Sequence, residues 1–254
     1  MNTGTCAFCC ASNVSLRESH IVPSWAYKRQ RANESKVPHP VRIRDGGAVQ
    51  TSHQFKERLL CDDCEKRFGT FDNYAASLAY DIGIRAPIFS QIAIEDAPRG
   101  TRYVPARAIT LNVERIAYVG LSVLWRGHAA RCLPDCSFGN RGEAMRLFLR
   151  REKPLANDVA LVLLAYDDAA DGPMARTVYM PRSQRERGYF SHMFLICGLH
   201  FFLAVGRELP AFYGAFSLFH GAIPRVLVTH SSTGVQALQN LIRDARPLGR
   251  LRDS

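Results

Sequence analysis

Two matched cysteine pairs, Cys6-x2-Cys9 and Cys61-x2-Cys64, separated by 51 residues, constrain this chain more than any other feature. Each pair can present two thiolates from one tight turn. Two such turns brought together complete a tetrahedral sulfur shell that suits Zn²⁺. A closed Cys₄ shell leaves no position for water or substrate, so the ion it predicts is structural. Cys10 is an alternative to Cys9, although the x2 spacing favours Cys9. The competing reading is cysteines that merely fill core space. Because zinc contributes on the order of 10 kcal/mol to the folding of zinc-finger peptides, residues 1–85 are expected to depend on the metal.

The other cysteines do not change this view. A disulfide framework belongs to small secreted chains, whereas this chain has 254 residues and opens MNTGTCAFCC, with no apolar stretch behind basic residues. Export is not expected, and a cytoplasmic location is. Hydrophobic residues at 47% and charged residues at 22% describe a folded protein of one large domain or two small ones. The most membrane-like run, Tyr189 to Gly206, contains Ser191, His192 and His200 and a Cys197-Gly198 break. It reads as buried strands, and no membrane association is expected.

Along the chain, residues 1–68 are polar and irregular. A short helical pattern covers Asp72 to Tyr80, and the signals at Pro87 and Pro98-Arg99-Gly100 mark a connection near 84–104. Asn112 is placed to cap a helix running to about Ala130. Strands are expected over Asp158–Tyr166, Thr177–Met180, Phe190–Val205 (two) and Arg225–Thr229, and an amphipathic helix over Thr233–Ala245. The second half, residues 105–254, is therefore read as an α+β domain with a largely antiparallel sheet. It offers a surface for substrate selection, regulation, a second copy of the chain or a protein partner.

Between the cysteine pairs stands Glu18-Ser19-His20-Ile21-Val22-Pro23. A His followed by a β-branched pair and a Pro fits the end of an extended edge, where Pro23 stops ladder pairing and leaves the imidazole accessible. The second pair opens a helix-like pattern, with Asp62, Asp63 and Glu65 suited to a helix N-terminus. Cys-x2-Cys, a short extended segment ending in His-Ile-x-Pro, a loop, and Cys-x2-Cys at a helix start together resemble the zinc-containing form of the HNH endonuclease family, the His-Me finger or ββα-metal fold. The resemblance covers roughly residues 6–75.

That resemblance implies a zinc-stapled ββα-metal, treble-clef-like domain over residues 1–85. It implies His20 as the general base that activates water against a phosphodiester, a task for the side chain that ordinarily titrates near neutrality. It implies Glu65, directly after the last cysteine, as a ligand for a catalytic Mg²⁺ or Mn²⁺. The family usually carries Asp, Glu or His just before this His; here Ser19 stands there, with Glu18 one residue further back. The Asn that orients the base has no obvious counterpart, Asn33, Gln50 and His53 being the nearest substitutes. Asp72 could compensate only if helix phase turns it to the site.

Net charge is +10, and residues 17–44 hold seven basic residues against two acidic ones. Arg17, Lys28, Arg29, Arg31, Arg42 and Arg44 are therefore candidates for phosphate contacts, and DNA is the favoured partner. Trp25 and Tyr27 serve equally as packing groups or stacking platforms. The function expected is metal-dependent endonucleolytic hydrolysis. The alternative is a catalytically degenerate zinc-stabilised module that binds nucleic acid or a protein partner. Cys132-x3-Cys136 near His128 lacks a second pair, and His192, His200, His220 and His230 read as core or interface histidines. No phosphate-cradling glycine loop and no Gly-x-Ser-x-Gly elbow is present.

Overall fold

The computed structural model describes residues 3–31, 40–81, 83–98, 101–169, 172–219, 223–230, 236, 240 and 243–249. The fold is mixed α+β, with sheets dominated by antiparallel pairing. β1 (Thr3–Gly4) pairs with β2 (Val14–His20); α1 (Ser24–Arg31) follows; β3 (Val41–Arg44) and β4 (Gly47–Gln50) form a hairpin; and β5 (Lys56–Cys61) returns antiparallel to β2. β5 passes directly into α2 (Asp62–Leu78), whose first turn carries Asp62, Asp63 and Glu65, the acidic end that a helix dipole favours.

The pattern expected over Asp72–Tyr80 is thus the back half of a longer helix. Its buried stripe runs Cys64, Phe68, Asp72, Ala75 and Leu78, at the three- and four-residue spacing of one helix face. A thiol and a carboxylate in that stripe concealed the period from an apolar count.

The rest of the chain builds a seven-stranded sheet from β6 (Ile92–Ile94), β7 (Val104–Ala108), β8 (Val159–Asp167), β9 (Val178–Arg185), β10 (Tyr189–Ile196), β11 (Leu199–Gly206) and β12 (Arg225–His230). Its order is β6-β7-β12-β8-β11-β10-β9, antiparallel throughout except for β12 against β8. Among the described residues it is accompanied by α3 (Val113–Ala129), α4 (Gly142–Leu149), α5 (Pro173–Arg176) and α6 (Ala211–Phe216). β13 (Arg246–Leu248) leaves this sheet and pairs in parallel with β4. Asn112 caps α3 as its sequence implied, its side chain accepting from the Arg115 N–H at 3.0 Å. The 84–104 connection contains β6, which is too short to announce itself by periodicity. Of the helix expected over Thr233–Ala245, eight of thirteen residues lie outside the described residues, as does His220, and the described 236, 240, 243 and 244 are helical.

Period-two alternation puts Leu161, Leu163 and Ala165 of β8 into one apolar cluster and Val162, Leu164 and Tyr166 into another on the opposite face. α3 covers the first face. It is buried without a break from Ile116 to Gly127, as befits a helix apolar on all sides. It approaches the sheet at Gly120, where a Cβ would lie 2.6 Å from Phe201 Cδ1. α3 also meets α2 and the N-terminal turn: Phe8 lies 4.7 Å from Phe68 and 5.3 Å from Trp125, centroid to centroid. Residues from Cys6 to Val228 therefore share one contiguous core. The apolar run Tyr189–Gly206 is the β10–β11 hairpin, turning at Cys197 and Gly198, both at positive φ. Among the described residues no helix is long and apolar enough to cross a membrane.

Two histidines, His192 buried and His200 half-buried, make this sheet pH-sensitive. Burial pushes His192 down to about 4, and His200 down to about 3. His192 Nδ1 lies 2.7 Å from Ser183 Oγ, whereas His200 Nε2 has no partner. Below about 6.5 the unfolded chain takes up protons on these rings that the folded chain refuses. Stability is therefore present above pH 6.5 and falls as pH drops toward 4, by at most ~1.4 kcal/mol per ring per pH unit. Urea denaturation at pH 7 and pH 5 should show this loss. The His200→Phe variant, which keeps the ring contact with Phe202 (centroids 3.9 Å apart), should show a shallower one.

Candidate functional site

The ligand atoms of Cys6, Cys9, Cys61 and Cys64 all lie within 4.8 Å of one another. Cys9 Sγ and Cys61 Sγ are 3.7 Å apart, close to the ~3.8 Å edge of a tetrahedron with Zn–S bonds of about 2.3 Å. The first pair sits in a turn closed by Cys10 N–H to Cys6 O (2.9 Å) and Cys6 N–H to Ala11 O (3.0 Å). Cys10 takes a left-handed backbone and is exposed; Cys9, as the spacing favoured, joins the cluster. The second pair is supplied by the β5–α2 junction, Cys61 ending the strand and Cys64 lying in the first helical turn.

The electrostatics call for a cation. Burial pushes the Cys6 thiol up, yet the N–H groups of Cys9, Cys61 and Phe8 outweigh it and bring it down to about 7. Burial raises Cys61, and burial with its thiol neighbours raises Cys64 strongly. Four thiols in one half-buried space cannot all ionise without a compensating charge, and a soft divalent ion supplies it. The residues fit structural zinc, with Cys61 N–H donating to Cys6 Sγ at 3.3 Å as outer-shell support.

The second half braces this centre. Arg146 and Arg150 both donate to Phe8 O, at 2.6 and 3.2 Å, and Arg67 donates to Leu149 O at 2.7 Å.

Next to the cluster, the seam of β2 and α2 brings Ser19 and Glu65 together. Ser19, fully buried, donates through Oγ to Glu65 Oε2 at 2.6 Å. His20 is the last residue of β2, half-buried, with Nε2 2.7 Å from Gln54 Oε1. Its ring centroid is 6.2 Å from that of Tyr27. Strand alternation puts Glu18, and with it His20, on the face opposite Ser19. There Lys56 Nζ takes the Glu18 carboxylate at 2.6 Å and holds it below its usual range, so Glu18 does not stand in at Glu65. Gln54, which the sequence did not single out, meets the imidazole; Asn33 lies outside the described residues. Asp72 does turn inward, but its carboxylate is taken by Arg126 at 2.8 and 2.9 Å.

The basic candidates separate into groups. Arg31 and Arg42 line one shallow depression of about 80 Å³, with Tyr27, His53 and Phe55 as walls. Lys28 is exposed on α1. Arg17 pairs with Asp62 at 3.1 Å, and Arg44 with Asp45 at 3.1 Å and Asp135 at 3.7 Å. Arg29 is bound inward, donating to Ala76 O and Asp81 and lying 4.6 Å over the Trp25 ring. The β13–β4–β3 register puts Arg246 and Arg44 on either side of Gly47.

Sequence reasoning missed Gln54, Arg126 and Arg246. Arg126 alone left a visible signal, a charge inside the apolar run Val119–Trp125-Arg126.

Comparison of the chain with known family models, curated proteins and solved structures finds no match.

Purified protein should carry one zinc per chain by elemental analysis. Cys64→Ser, which removes the ligand on α2, should cost most of the ~10 kcal/mol that such an ion contributes, read as loss of the cooperative thermal transition. Retention of that transition without zinc would exclude a structural ion.

Proposed function

We propose that the chain is a zinc-stapled HNH-type endonuclease that hydrolyses phosphodiester bonds of nucleic acid, DNA being the favoured substrate. The observation that carries this reading is the β2–α2 seam, where Ser19, the residue before His20, meets Glu65, the residue after Cys64 of the four-thiol cluster, at 2.6 Å. In the family that the sequence resembles, the residue before the His and the residue after the last cysteine hold the catalytic cation. Here those positions are in hydrogen-bond contact across 46 residues of sequence.

On this reading His20, its imidazole aimed by Gln54, accepts a proton from the attacking water. A bound Mg²⁺ or Mn²⁺ would supply charge stabilisation at the phosphate, with Glu65 as its carboxylate ligand and Ser19 as a weaker oxygen beside it. Zinc stays structural, since its four sulfurs leave no open position. Arg31 and Arg42, together with exposed Lys28, supply the phosphate contacts that position but do not select sequence.

A second reading follows from Ser19 itself. A neutral hydroxyl stands where the family has an ionisable or nitrogen ligand, and it already occupies one oxygen of Glu65. A binding-only module would share every other feature.

Plasmid and single-stranded DNA incubated with Mg²⁺ or Mn²⁺ distinguish the two. Cleavage by the wild type should fall about 10²–10⁴-fold in His20→Ala, the usual size of a general-base contribution. Cleavage unchanged by that substitution would remove His20 from the mechanism, and salt-sensitive binding without cleavage would favour the module. Ser19→Asp should tighten Mn²⁺ binding, measured by titration calorimetry. Arg42→Ala should lower DNA affinity uniformly across sequences and reduce the slope of log affinity against log salt by about one.

A further inference from the structure

We propose that Arg126, outside the metal-binding segment and on the far helix α3, is a positioning residue for His20, acting through its backbone carbonyl. This rests on the reading of His20 given above.

Arg126 heads the fully buried large side chains, at 2% exposure. A guanidinium in a protein core costs desolvation that only a well-formed pair offsets, and apolar replacements of such pairs often leave stability unchanged or higher. Stability alone therefore does not account for it. Its donors are directed: Nη2 to Asp72 Oδ1 at 2.8 Å, Nη1 to Asp72 Oδ2 at 2.9 Å, and Nη1 again to His20 O at 3.1 Å. Nε points to Ser122 O at 3.4 Å, and the guanidinium carbon lies 5.4 Å from the Phe68 ring centroid.

The bidentate contact with Asp72 fixes the guanidinium plane, and a planar fork fixes where its remaining hydrogens point. One of them falls on the carbonyl of His20. Asp72 is itself anchored, its own carbonyl accepting from Trp25 Nε1 at 2.9 Å. His20 is thus held at two points, its ring by Gln54 and its main chain by an arginine that three helices keep in place. Freeing the main-chain point lets the strand end shift, and shifts of about 1 Å at a reacting group cost on the order of a hundredfold in rate. Lysine cannot replace this device, because one ammonium does not reproduce the planar fork.

The test uses the full-length, zinc-loaded protein. The double variant Asp72→Leu/Arg126→Met removes the buried pair without leaving a lone charge, so it should fold and keep one zinc per chain. Arg126→Lys keeps the charge and loses the fork. For both, kcat of plasmid cleavage should drop about ten- to a hundredfold while KM stays within twofold. The ¹⁵N imidazole spectrum of His20 should lose the single tautomer that Gln54 selects. Wild-type kcat and an unchanged His20 spectrum in folded, zinc-loaded variants would overturn the proposal. If the wild type does not cleave, the nuclease reading fails by itself, and the imidazole spectrum alone decides whether Arg126 positions the ring.

Discussion

Four sulfurs converging on one point are the constraint from which the rest of the N-terminal architecture follows. The Cys6–Cys9 turn has little secondary structure of its own, and β1 is two residues long. What joins that turn to the head of α2 is the four-thiol cluster, close enough to hold one ion, together with a few backbone bonds, such as Ala7 N–H to Leu59 O at 2.9 Å. Once the turn is fixed, Phe8 enters the aromatic group with Phe68 and Trp125, and β2 is held against β5. The closeness of Ser19 to Glu65 is a consequence of this geometry.

The second half does more than accompany that unit. Its arginines close the zinc turn from outside through Phe8 O, and Arg126 reaches the end of β2 from inside. Polar groups buried this way must be paired, and these pairings tie the Cys6–Cys9 turn and the end of β2 to helices distant in sequence. The return of β13 to β4 adds a third tie at the sheet that carries Arg42 and Arg44.

How much of this was legible beforehand depended on how local the signal was. The Cys₄ cluster, the Asn112 cap and the strands of the large sheet were readable because spacing, cap chemistry and apolar runs are local properties. The full length of α2 was not, because Asp72 occupies a core-facing position that becomes sensible only once Arg126 lies opposite. Gln54 was missed for a related reason: nothing in Ser52-His53-Gln54-Phe55 distinguishes the residue that meets an imidazole 34 positions earlier. Arg29 showed the reverse error, a surface-like basic residue whose guanidinium turns onto Trp25 and Asp81. Long-range pairings of polar side chains carry no period, and these are the contacts that complete the site.

If one ion organises the seam on which Ser19 meets Glu65, the strand end that carries His20 is ordered only when the four thiols are metallated. Amide hydrogen exchange in zinc-loaded and zinc-stripped protein tests it directly. Ser19, His20, Ile21 and the first turn of α2 should be protected with zinc and exchange freely without it. Equal protection of those amides in the metal-free chain would contradict it.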